Sequence, residues 1–69
     1  MNVKIKKLLD TYALNKELIN SRKSILRKYE CIGSYTNMDT ILSLEETISF
    51  IEKRNDKIIK IIERLIENQ

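Results

Sequence analysis

The sequence predicts an all-α protein: an antiparallel helical hairpin of two long helices, which we expect to dimerise into a four-helix bundle. Three observations support this prediction. The chain has no proline and one glycine, which suits long helices better than a turn-rich β-protein. Apolar residues recur with heptad spacing in both halves, and a single short polar segment separates the halves. We therefore expect one helical-hairpin domain over residues 1–69.

The length and composition indicate that the protein depends on a partner. A chain of 69 residues buries only about 60% of its extended-chain surface, so its free energy of unfolding is small. Cys31 is the single cysteine and there is no histidine, which leaves no internal disulfide and no ordinary zinc site. We expect Cys31 to be a small apolar filler. We expect no cofactor and no metal ion, so association with another chain is the remaining source of stability.

The first half is predicted to form helix 1 over about residues 3–31. Its apolar residues alternate steps of three and four, so that they lie on one face of a helix. Two positions of this row hold the polar residues Asn15 and Arg22. The row through which one helix touches the other is here called the seam, and in helix 1 it consists of Ile5, Leu8, Tyr12, Asn15, Ile19, Arg22, Leu26 and Tyr29.

A short polar segment, CIGSYTNMD at residues 31–39, separates the two halves. It holds the glycine and a cluster of Ser, Thr, Asn and Asp, which favour turns and helix caps. Gly33 suits the left-handed conformation that ends many helices. We therefore place the turn at about residues 32–37.

Helix 2 is expected to span about residues 38–67. Asn37 or Asp39 can cap its start. Alternatively, Ser43 and Glu46 match a capping box, which would begin the helix further along the chain. The seam of helix 2 consists of Ile41, Leu44, Ile48, Ile51, Asn55, Ile58, Ile62 and Leu65.

The two seams predict which residues face each other across the hairpin. If the chain reverses near residue 35, the numbers of facing residues sum to about 70, which pairs Ile5 with Leu65. The same register brings Asn15 opposite Asn55. Two amides can satisfy each other's donors and acceptors, and a polar pair in an apolar seam disfavours slipped registers. The alternative is that both are tolerated polar residues near a wet gap.

A second set of apolar residues lies off the seam. An isolated hairpin would leave these residues in water, as an apolar patch larger than monomers usually expose. Two hairpins packed together would cover the patch in a homodimeric four-helix bundle. The predicted interface with a second copy or with another protein consists of Leu14, Leu18, Ile25, Phe50, Ile59, Ile61 and Ile66.

Four basic residues near the end of helix 1 form another candidate surface, which can contact the phosphates of RNA or DNA. They are Arg22, Lys23, Arg27 and Lys28. The alternative is a solvated face that pairs with acidic residues of helix 2. In outline the predicted hairpin resembles the Rop family of plasmid copy-number proteins, on architecture and without a shared motif. That resemblance implies a dimeric bundle that binds RNA.

These observations indicate a protein that is not an enzyme. There is no histidine for a Ser–His or Cys–His nucleophile and no glycine-rich phosphate loop. We expect a small homodimeric adaptor or regulator that presents a helical face to another protein. RNA or DNA binding, and a role as an obligate small subunit of a larger helical complex, are the alternatives. Without a long apolar run or a secretory signal, we expect a soluble cytoplasmic protein with no membrane partner and no small-molecule substrate.

Overall fold

The computed structural model describes residues 2–32 and 38–68, and this part of the chain consists of two α-helices. Helix α1 spans Val3–Ile32 and helix α2 spans Met38–Glu67. No strand occurs in either described range. The all-helical class that composition and heptad spacing predict is therefore confirmed.

Helix α1 begins with an N-cap at Asn2. The Oδ1 atom of Asn2 accepts a hydrogen bond from the backbone N–H of Lys4 at 2.8 Å. The carbonyl of Asn2 accepts the first helical hydrogen bond, from the N–H of Lys6 at 3.0 Å. Because an N-cap oxygen satisfies an N–H group that has no partner within the helix, the start of α1 is specified locally.

Helix α2 begins at Met38 and carries Asp39 in its first turn, where a negative charge is favourable beside the helix dipole. The alternative start at Ser43 is wrong, because Ser43 already lies within the helix. Its carbonyl accepts a hydrogen bond from Oγ1 of Thr47 at 2.9 Å. Ile32, the first residue of the predicted turn, belongs to helix α1. The other turn residues, 33–37, which include Gly33 and the candidate cap Asn37, lie outside the described residues.

The two helices run antiparallel along the predicted seam. Ile5, near the start of α1, belongs to an apolar cluster with Ile58 and Ile62, near the end of α2. Further along α1, Ile19 belongs to a second cluster with Ile51. This reversed order is that of a hairpin. Every seam position predicted from the heptads is buried or half-buried.

The core is a single row of side chains rather than a layer. The buried apolar residues are Ile5, Ile19, Ile48, Ile51, Ile58 and Ile62. The Cα atoms of the hairpin extend over 52 × 14 × 12 Å, so each helix touches its neighbour along one line. The rest of each helix surface faces water. Neither helix of the described chain has an apolar stretch long enough to cross a membrane.

Candidate interaction surfaces

A pair of amides interrupts the seam midway along the hairpin. Nδ2 of Asn15 donates a hydrogen bond to Oδ1 of Asn55 at 2.8 Å, and Nδ2 of Asn55 donates to the carbonyl of Tyr12 at 3.3 Å. Asn55 is only 5% exposed, so these bonds replace those that its amide makes with water in the unfolded chain. The two amides therefore bond to each other directly across the seam.

The seam divides the hairpin surface into two sides, and two hollows identify them. On one side, Lys16 of α1 lines a groove of about 270 Å³ together with Glu52 and Ile59 of α2. On the other side, Phe50 and Ile61 line a second hollow on α2. Residues seven positions apart lie on nearly the same side of a helix. The residues that line these two hollows therefore show on which side of the seam every other flanking residue lies.

The side that contains Phe50 and Ile61 carries an exposed apolar stripe. Leu14, Leu18 and Ile25 supply this stripe on α1. All five residues are exposed, from 37% for Leu18 to 61% for Phe50. The other positions of this side hold basic or hydroxyl side chains. We call this surface the basic apolar face, and it consists of Lys4, Lys7, Thr11, Leu14, Leu18, Ser21, Ile25, Lys28, Thr40, Ser43, Thr47, Phe50, Arg54, Lys57, Ile61 and Arg64.

Charge is divided unequally between the two sides. None of the ten acidic residues of the chain lies on the basic apolar face. The opposite groove is mixed, since Lys16 and Lys23 line it together with Glu52 and Asp56. The electrostatic potential is therefore positive over the basic apolar face, although the net charge of the chain is only +3. The basic residues of this face are Lys4, Lys7, Lys28, Arg54, Lys57 and Arg64.

Two threonines of the basic apolar face use their hydroxyl donors within their own helices. Oγ1 of Thr11 donates to the carbonyl of Lys7 at 3.0 Å. Oγ1 of Thr47 donates to the carbonyl of Ser43 at 2.9 Å. Because both donors are satisfied, an apolar surface can cover these threonines without leaving a hydroxyl hydrogen unpaired.

The seven residues predicted to form one interface lie on two sides of the hairpin. Leu14, Leu18, Ile25, Phe50 and Ile61 share the basic apolar face. Ile59 instead lines the opposite groove, and its spacing of seven places Ile66 on the side of Ile59. A partner helix laid against one side of the hairpin cannot cover both Ile59 and Ile61.

The four basic residues predicted to contact nucleic acid are distributed over different surfaces, although Arg27 and Lys28 line one hollow near the end of α1. Arg22 is half-buried and donates a hydrogen bond from its guanidinium to the carbonyl of Leu18 at 3.4 Å. Lys23 lines the opposite groove. Nε of Arg27 donates to the carbonyl of Lys23 at 3.4 Å, and only Lys28 belongs to the basic apolar face.

The predicted nucleic-acid contact omits the three basic residues that α2 contributes to this face, Arg54, Lys57 and Arg64. The heptad spacing contains the information that identifies them. When the seam residues of both helices face each other, these three residues lie on the same side of the seam as Phe50 and Ile61. The guanidinium carbon of Arg54 lies 5.8 Å from the centroid of the Phe50 ring, within cation–π range. The basic and apolar residues of the face are therefore intermixed.

Two further expectations concern the chemistry of individual side chains. Cys31 is exposed, so the expectation that it fills an apolar gap is wrong. In residues 2–32 and 38–68, no group of three or more His, Cys, Asp or Glu side chains is arranged to hold a metal ion.

No protein-family model, curated protein or solved structure matches this chain.

Proposed function

We propose that the protein is a non-catalytic interaction protein that completes a helical bundle with another helical chain through its basic apolar face. The observation that carries this proposal is the exposure of five large apolar residues on one side of a hairpin whose core is a single row. Helices in bundles bury a wider stripe than this seam provides. A covering chain would supply the missing half of the core.

Two kinds of covering chain fit this proposal. A second copy would give a homodimeric four-helix bundle, in which the exposed apolar residues of both hairpins pack together. Helices of a different protein would cover the same residues, and the hairpin would then act as an adaptor or as a small subunit of a larger complex.

The apolar residues alone support only modest affinity. Complete burial of a Leu, Ile or Phe side chain contributes about 1.5–3 kcal/mol, and these five side chains are about half exposed. Their burial therefore contributes about 5 kcal/mol, which is comparable to the entropic cost of association. Other contacts across the same face must add to the affinity.

Substitutions on and off the face test the proposal. We expect the double variant Leu14→Gln/Phe50→Gln to lose association, because both side chains lie on the basic apolar face and are more than half exposed. The matched control is Leu9→Gln/Leu42→Gln, which changes two exposed leucines elsewhere on the hairpin.

Two measurements report association. Sedimentation velocity at micromolar concentrations detects self-association, and fluorescence anisotropy detects binding of a synthetic amphipathic helix with leucine at its seam positions and glutamine beside them. We expect a loss of affinity of about tenfold or more in the face variant and little change in the control. The proposal is wrong if the native chain stays monomeric and binds no amphipathic helix, whatever the charge of its flanking positions, or if both variants lose affinity equally.

RNA or DNA binding is the second candidate function, and the six basic residues on one face favour it. Phosphate contacts release counterions, so the affinity would fall steeply as salt is raised. An anisotropy titration at low salt, with single-stranded RNA, duplex RNA and duplex DNA, tests this function. The absence of binding to all three would exclude it.

A further inference from the structure

The charge of the basic apolar face indicates the chemistry of what covers it. We propose that its occupant is an acidic amphipathic helix of a different protein, in which Asp or Glu residues flank an apolar stripe. This inference rests on the proposed function, because it names the partner of the same face.

Basic residues lie beyond both ends of the apolar stripe on α1, which fits a helix whose acidic residues surround an apolar stripe. The apolar stripe of α1 runs from Leu14 to Ile25, which is roughly 17 Å or three helical turns. Lys28 follows one end of this stripe, and Lys7 precedes the other. The antiparallel register places Arg64 at the level of Lys7. An apolar stripe on a partner helix can therefore contact the middle of the face while its acidic residues reach the surrounding basic groups.

The spacing along α1 fits a partner helix. Leu14, Leu18, Ser21 and Ile25 follow steps of four, three and four, which is the heptad spacing of helix-to-helix contacts. Ser21 is small and leaves room between the two flanking apolar side chains for a partner side chain. Recognition of a helix in a groove uses anchors at this spacing. A helix that lies on a bilayer shows the same spacing, so vesicles are compared directly in the test below.

Charge argues against a second copy as the occupant. A second hairpin would bring another six basic residues, and no acidic residue, against the six already on the face. Like charges placed opposite each other across an interface disfavour the complex, whereas opposite charges favour it. An acidic partner gains from the same residues that a second copy must separate.

The apolar centre argues against nucleic acid. Protein–DNA interfaces are more polar than protein–protein interfaces, and phosphates give no favourable contact to Leu14, Leu18 or Ile25. The hydroxyl donors of Thr11 and Thr47 are bonded within their own helices and are not free for phosphate oxygens. An amphipathic helix makes use of both the apolar and the basic parts of the face.

Three synthetic helices test the charge preference directly. Each contains about 21 residues, or three heptads, with leucine at the seam positions. The flanking positions hold glutamate in the first peptide, glutamine in the second and lysine in the third. We expect the glutamate peptide to bind the 69-residue chain about tenfold or more tightly than the glutamine peptide, and the lysine peptide to bind most weakly.

A pair of charge-reversal variants shows whether the preference belongs to the face. Lys7→Glu/Lys28→Glu reverses two charges on the basic apolar face. Lys6→Glu/Arg27→Glu reverses the two adjacent charges, which lie off this face, and produces the same net charge. We expect the affinity for the glutamate peptide to fall about tenfold or more in the first variant and less than about threefold in the second. Circular dichroism confirms that both variants remain helical.

The outcomes separate this inference from the proposed function. If the native chain binds all three peptides equally, or pairs with itself and excludes them, the face is an interface but the acidic partner is wrong. If it neither self-associates nor binds any peptide, both proposals are wrong. Equal losses in the two variants would attribute binding to net charge alone. Tighter binding to RNA, or to vesicles of phosphatidylserine and phosphatidylcholine, than to the glutamate peptide would also overturn the inference.

Discussion

Asn55 is the buried polar residue of the described core. Its Oδ1 accepts a hydrogen bond from Asn15 and its Nδ2 donates one to the carbonyl of Tyr12, both on α1. Removing the Asn55 amide leaves Nδ2 of Asn15 and the carbonyl of Tyr12 without these partners in a partly buried place. We expect Asn55→Ala to lower the free energy of unfolding by about 1–3 kcal/mol, measured by urea denaturation. Asn15→Ala should cost less, because Asn15 is only half-buried and Asn55 keeps its bond to Tyr12. An equal or larger loss in Asn15→Ala would contradict this bonding.

The double variant Asn15→Leu/Asn55→Leu separates stability from alignment. Replacing a buried polar pair with apolar residues of similar size is often neutral or stabilising. The substitution also removes the penalty that the two amides impose on slipped registers, in which they would face apolar residues. We expect an unchanged or higher Tm together with more than one set of backbone amide signals by NMR. A single set of signals would show that turn and packing alone determine the register.

At the scale of one helix, Ile61 and Ile62 are neighbours with opposite surroundings. Ile62 is 8% exposed within the seam, whereas Ile61 is 43% exposed on the basic apolar face. Ile62→Glu places a charge among apolar residues of the first core cluster, and we expect it to abolish the helical circular dichroism signal. Ile61→Glu should keep that signal and weaken association through the basic apolar face. Equal loss of helical signal in both variants would contradict this division of α2.

The seam could be predicted from the sequence because each helix must repeat its apolar residues to keep contact with the other. Both heptads predict the antiparallel register, and the bond between Asn15 and Asn55 is consistent with it. The side of the seam on which a flanking residue lies is harder to predict, because it depends on the rotation of each helix about its own axis. Ile59 and Ile61 are two positions apart and both flank the seam, yet they lie on opposite sides.

At the scale of the whole molecule, one side of the hairpin is uniformly basic and the other is mixed. At long range an approaching molecule responds to the summed charge of each side and not to single charges, so this difference orients the hairpin toward its partners. An acidic partner is attracted to one side in particular. A second copy whose basic apolar face approaches the same side is repelled, and salt weakens that repulsion by screening it.

Self-association and partner binding should therefore respond to salt in opposite directions. The Debye length falls from about 10 Å at 0.1 M to about 3 Å at 1 M ionic strength, which screens both the repulsion between two basic faces and the attraction for an acidic helix. We expect the weight-average mass from sedimentation equilibrium to rise with sodium chloride, and the affinity for the glutamate peptide to fall. Lys7→Glu/Lys28→Glu should reduce both dependences, because its face no longer carries charge of a single sign. A dimer that forms at low salt and dissociates as salt rises would require complementary charges across its interface. Acidic residues from outside the basic apolar face would then have to take part in the dimer.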